Sequence, residues 1–180
     1  MVNTKNTDIA GLREILRGHG RGAEGALLVK LSPAARQLFE NALAFQWSPL
    51  KMQMEIFQAA AEVLFPDSED RSYRLGRLLA EKAYGGVYKA VLRIPSTRFV
   101  ISRAAQVWSS YYDCGDVTVE NAGDHGCDFV VRSFPDFPLV MREQLRGHVS
   151  VLLERTGLTS YTIEHLDTDP SAWRWAMRWP

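Results

Sequence analysis

The stretch Ala172-Trp173-Arg174-Trp175-Ala176-Met177-Arg178-Trp179 alternates strictly, placing Trp173, Trp175, Met177 and Trp179 on one face. A two-residue period is the pattern of a half-buried β-strand. Indoles at i, i+2 and i+6, with a Met at i+4 between them, are a large apolar load, so the strand is expected to close over a core or a ligand cavity. Working backward from it, 159–166 reads as a partner strand, joined through the turn residues Asp167, Thr168, Asp169 and Pro170. A helix is predicted from Pro135-Asp136-Phe137-Pro138 to about Thr156, with Gly157 as a left-handed cap. Before that helix, Val117 and Val119 alternate with Thr118 and Glu120, 121–126 carries turn residues, and 128–134 is β-branched and aromatic. The unit reads ββαββ, a four-stranded antiparallel sheet covered by helices on one face.

Upstream of Tyr112 the punctuation is helical. Thr7/Asp8 precede an amphipathic run of Ile9, Leu12, Ile15 and Leu16; Ser32-Pro33, Ser48-Pro49, Asp67/Ser68 and Ser96 offer further N-caps. Gly18 to Gly25 is expected to be a flexible loop, and 26–31 extended. Leu38, Phe39, Ala42 and Phe45 stripe one helix, and Met52, Ile56, Ala59, Ala60 and Val63 stripe the next, which Pro66 stops. A helix over 71–84 is interrupted at Gly85-Gly86 and resumes over 87–93; a last one carries Phe99, Ala104, Val107, Trp108 and Tyr111. The fold class is α+β: one domain over 1–180, mainly helical over 1–112 and hairpin–helix–hairpin over 113–180.

Composition narrows the function classes. With 46% hydrophobic and 23% charged residues in 180, the chain can bury one good core. Lys plus Arg equals Asp plus Glu at 21 each, so no net field draws it to nucleic acid or anionic lipid. No apolar run is long enough to span a membrane, and the N-terminal residues are polar, so a cytoplasmic protein is expected. Two cysteines, Cys114 and Cys127, make no disulfide framework and agree with a reducing compartment.

Three features could carry chemistry. Cys114, His125 and Cys127 flank the first predicted hairpin and could ligate zinc, although their spacing matches no finger or ribbon pattern. His148 shares a helix face with Leu145, Val149 and Leu152; it could hold a polar ligand or haem iron, or be satisfied by a neighbouring carbonyl. His165 and Tyr161 alternate toward the same interior as Trp173 and Trp175, and with Trp108 these residues could line a pocket for a flat or apolar ligand. Gly18 to Gly25 has no phosphate-loop spacing, and no nucleophile elbow or triad pattern occurs. No catalytic residue is assigned, and a non-catalytic protein is favoured over an enzyme.

The run Gly123-Asp124-His125-Gly126-Cys127-Asp128-Phe129-Val130-Val131 resembles the Gly-Asp-x-x-Cys-x-Phe hairpin of the 4-vinyl-reductase domain. That domain is a small-molecule-binding α+β fold related to the haem nitric-oxide/oxygen-binding (H-NOX) sensors. The order of elements, helices and then hairpin, helix and hairpin, is similar as well. Gly147, Thr156-Gly157 and the closing Trp strand also resemble an uncharacterised paralogous family abundant in myxobacteria. The second cysteine of the 4-vinyl-reductase pattern is replaced by Glu120 and Asn121, so only Cys127 carries over. The Tyr-x-Ser-x-Arg context of the haem sensors has no counterpart here. The resemblance implies a sensory or regulatory domain that holds a small apolar or aromatic molecule between helices and sheet. Alternatives are a protein-interaction or self-associating module, such as a homodimer, and a haem- or metal-binding sensor.

Overall fold

The computed structural model describes residues 2–20, 22–84, 96–134, 138–166, 169 and 171–180. In chain order these form β1 (Asn3–Lys5), α1 (Thr7–His19), α2 (Ala23–Lys30), α3 (Pro33–Asn41), β2 (Trp47–Pro49), α4 (Leu50–Leu64), α5 (Arg71–Tyr84) and α6 (Thr97–Tyr111). The ββαββ unit follows as β3 (Asp116–Gly123), β4 (Gly126–Arg132), α7 (Leu139–Arg155), β5 (Thr162–Leu166) and β6 (Ala172–Arg178). The sheet is antiparallel throughout in the order β3-β4-β6-β5, so the Trp-rich strand is internal.

Register explains how the Trp strand is used. Cys127 pairs with Met177, Phe129 with Trp175 and Val131 with Trp173, which puts the apolar sets of β4 and β6 on the helix-covered face. Trp175 is buried at 2% exposure, its ring centroid 5.8 Å from that of Phe129. On the opposite face the Arg174 guanidinium bridges Glu120 at 2.7 Å and Asp128 at 2.9 Å, while Arg132 reaches Glu120 and Arg178 reaches Asp128. Burial opposes ionisation of Asp128, but hydrogen bonds from Asn121, Arg178 and Arg174 outweigh it, and its pKa lies below the ordinary carboxylate value.

Predicted caps at Ser32 and Ser96 form: the Ser32 hydroxyl accepts from the Ala35 N–H at 3.3 Å and that of Ser96 from the Phe99 N–H at 3.2 Å. Gly157, at φ +95°, follows α7 in the left-handed conformation expected of its cap. Other readings need correction. Residues 26–31, expected to be extended, belong mostly to α2, where Leu27 is fully buried; so short an apolar run has no decisive period. The expected loop over 18–25 shrinks accordingly, because α1 runs to His19 and α2 starts at Ala23. Ser48 is no cap but a strand residue opposite Thr4, and α5 begins at Arg71, beyond the Asp67/Ser68 signal. Phe45 lies past the end of α3 and is 72% exposed. The Gly85-Gly86 interruption, the helix over 87–93 and the turn residues Asp167, Thr168 and Pro170 fall outside the described residues, as do Pro135, Asp136 and Phe137.

Two devices position the helices. Gln53, 1% exposed, directs its amide nitrogen to Thr4 O and Asn6 Oδ1, and Ser48 Oγ donates to Asn6 Oδ1 at 2.6 Å. This buried polar cluster pins β1 and the start of α1 onto α4, which fixes Asp8. The second device joins α5 to α7. A Cβ at Gly76 would stand 2.0 Å from the Gln144 carbonyl oxygen, and one at Gly147 would stand 2.2 Å from that of Tyr73. Only glycine permits this backbone-to-backbone approach, and it sets the rotation of α7 and hence the direction of Gln144 and His148.

Candidate functional site

Gln144, Leu145, His148, Val149 and Leu152 recur at helical spacing along α7, beside Ala83 and Tyr84 at the end of α5. Opposite them, α6 contributes Val100, Ile101, Ala104, Val107, Trp108 and Tyr111, and the sheet contributes Val119, Cys127, Phe129 and Met177. These surfaces pack together around Cys127, Leu153 and Met177, with Ile101, Val119 and Val149 against them, and part elsewhere. Where they part they border a partly open apolar cavity of about 150 Å³, the size range in which a hydrophobic cavity accepts one aromatic ring. Its floor is rigid: Trp108 stacks on Tyr112 with centroids 4.2 Å apart, meets Phe134 edge-on, and donates its indole N–H to Cys114 O at 2.8 Å.

Polar groups gather at one end, where Asp8, Tyr84, Tyr111, Tyr112, Gln144 and His148 all border the cavity. His148 Nδ1 lies 3.1 Å from the Gln144 carbonyl, so that nitrogen carries the donated proton. Its Nε2 lies 3.6 Å from Asp8 Oδ2, an ion pair when the ring is protonated. Burial, with the Asp8 charge adding to it, raises the pKa of Tyr84, Tyr111 and Tyr112, so all three phenols stay protonated at neutral pH. Gln144 is 3% exposed, and its Oε1 has no hydrogen-bond partner among the described residues. Leaving such an acceptor unmet costs about 1–3 kcal/mol.

Of the residues singled out from sequence, His148, Trp108 and Cys127 reach the cavity wall. The others are used elsewhere. Trp175 fills core; Trp173 lies under the Arg142 guanidinium, 3.4 Å from its ring centroid; His165 sits between those two indoles. Tyr161 donates to Glu154 Oε1 at 2.6 Å on a shallow outer surface. The expected alternation places Ile163 and His165 opposite Met177 and Trp175, and Tyr161 packs on the same cluster as Ile163 while its hydroxyl turns out to Glu154, but neither Tyr161 nor His165 borders the cavity. The zinc set does not assemble either. Cys114 precedes β3 at the Arg132 end of the hairpin, Cys127 lies at the opposite end, and His125 is exposed in the turn. No group of three potential metal ligands occurs among the described residues. Burial pushes the Cys127 thiol up to about 11, leaving it a protonated wall atom rather than a thiolate.

Asp8, Gln144 and the three tyrosines were missed. Gln144 stands one turn before His148 and shared its face legibly; Asp8 read as a helix-start residue, and only the β1 anchor aims it inward.

Solved structures match this architecture. An H-NOX protein mutant from K. algicida, in its Fe(II) unliganded form, superposes with TM-score 0.70 at 10% identity, covering 97% of this chain and 95% of that one. The chain has the H-NOX fold. An H-NOX protein from S. oneidensis in the Fe(II)NO state gives TM-score 0.69 at 13% identity over 97% and 98% of the two chains. An oxygen-binding H-NOX domain related to soluble guanylate cyclases gives 0.60 at 11% identity over 96% and 90%. No protein-family profile matches the sequence, so the likeness to the myxobacterial family rests on its motif residues alone. No curated protein matches it either.

Haem is the group this fold implies, and the cavity walls can be tested against it. His148 has the carbonyl-bonded Nδ1 usual for a metal-binding imidazole, but its Nε2 faces Asp8. Among the described residues no Lys or Arg borders the cavity to meet two propionates, and Asp8 would oppose them. The volume suits a single ring, not a porphyrin. The described residues around the cavity do not fit haem.

Proposed function

We propose that this protein is a non-catalytic sensory domain whose cavity between α6, α7 and the sheet takes a small apolar or aromatic molecule. The observation that carries this reading is the about 150 Å³ cavity, apolar along its walls and polar at one end, beside helices packed to backbone contact. A gap of this size in an otherwise close-packed core is a recognition site, and a ligand there changes how α6 rests on the sheet. α6 suits that role, since Trp108 is its one buried residue among those described. The shared fold with H-NOX proteins supports the sensory part. Native mass spectra of the purified protein, with thermal melts in toluene and indole, test the reading. Co-purified mass or a saturable rise in Tm is expected; no uptake from either probe contradicts it. Hemin titration is expected to give no stoichiometric Soret shift.

A second reading, an interaction module, has Leu43, Phe45 and Trp47 in its favour, exposed at 49%, 72% and 43% between α3 and β2. Sedimentation as a strict monomer at high concentration counts against self-association through this segment. No helix among the described residues is long and apolar enough to cross a membrane.

A further inference from the structure

Beside the three phenol donors, the polar end of the cavity carries one unmet acceptor and one carboxylate. Gln144 Oε1 is buried and unpartnered, and Asp8 has His148, at 3.6 Å, as its ion-pair partner. Trp108, Tyr84, Tyr111 and Tyr112 border the cavity around them, and aromatic rings attract cations through their quadrupoles. Among the described residues no Lys or Arg borders the cavity beside Asp8. An anionic ligand would meet the Asp8 carboxylate with only the His148 ring, among the described residues, to offset it, and a neutral hydrocarbon would leave Gln144 Oε1 without a donor.

We infer that the ligand class is a small primary amine with an aromatic or compact apolar body, its ammonium group donating to Asp8 and to Gln144 Oε1 and its body filling the space beneath Ala104 and Val149. The ammonium supplies three donors, enough for both acceptors and one aromatic face. Binding displaces the His148 contact from Asp8, while His148 keeps its hydrogen bond to the Gln144 carbonyl. That the raised tyrosine pKa values owe something to Asp8 agrees with a negative potential at this end.

This inference rests on the cavity being a ligand site, and one titration series separates the two. Calorimetry of the full chain with benzylamine, benzyl alcohol and benzoate compares one shape with three charges. Benzylamine is expected to bind at least about tenfold tighter than benzyl alcohol, with benzoate weakest. Asp8→Asn is expected to bring the amine-to-alcohol ratio to near one while leaving the alcohol bound; Gln144→Met, which keeps the volume, should lower the ratio several-fold and serves if the Asp8 variant does not fold. Benzyl alcohol bound without amine preference, or a ratio unchanged in both variants, overturns the amine assignment and leaves the cavity reading intact. If none of the three binds, both fall.

Discussion

Against α5, helix α7 comes so close that a single methyl at Gly76 or Gly147 would collide with backbone; against α6, the same helix leaves a cavity of about 150 Å³. One side is packed to the limit of sterics and the other is left open, so the opening is not a general looseness of the core. The tight side also builds the open one. Gly76 fixes the Gln144 carbonyl, that carbonyl orients His148, and both residues face the cavity.

The filled side should respond most strongly to truncation. Trp175→Ala removes a buried indole packed on Phe129 and should cost about 3–5 kcal/mol in urea unfolding. Gly147→Ala should come next, at about 3 kcal/mol, because its Cβ meets the Tyr73 carbonyl and the Arg77 N–H, neither of which can swing aside. If Gly147→Ala is neutral, the helices are not in the contact described and the comparison breaks. Asp128→Asn on the outer face should cost about 1–3 kcal/mol at pH 7. Since the folded pKa of Asp128 lies below its unfolded value near 3.9, its contribution is complete above that pH and is lost as pH falls through the folded value. Wild type should therefore lose stability more steeply below about pH 4 than Asp128→Asn does, as read from melts across pH 2–7. The open side should give the smallest effect, with the opposite sign: Ala104→Leu should leave stability unchanged or raise it by about 0.5–2 kcal/mol while abolishing uptake of toluene. A loss above about 2 kcal/mol would mean the space is not free.

Much of this was legible in the chain. Period-two alternation in β4 and β6 and the sequence of hairpin, helix and hairpin give the sheet, and Ser32, Ser96 and Gly157 mark helix ends correctly, whereas Ser48 and Asp67/Ser68 do not. His148 with Leu145, Val149 and Leu152 gave one wall of the cavity, because a helix face is a local property. The opposite wall was misread. Trp173 and Trp175 carry the strongest apolar signal, but the strand's internal position in the sheet spends them on core, while smaller residues, Ala104 and Val119 among them, border the opening. A cavity is where bulk is missing, and missing bulk leaves no peak in a hydrophobic pattern. Asp8 and Tyr84 come from distant segments and reach the site only through the Gln53 cluster and the α5 helix.

The central claim is tested most directly by ¹³C-methyl spectra titrated with toluene, in wild type and in Ala104→Leu. Saturable shifts confined to Ile101, Val119, Val149 and Leu152, absent from Leu12, Leu27 and Leu64 and lost in the filled variant, are the predicted result. Shifts that never saturate, or that persist unchanged in Ala104→Leu, would contradict it.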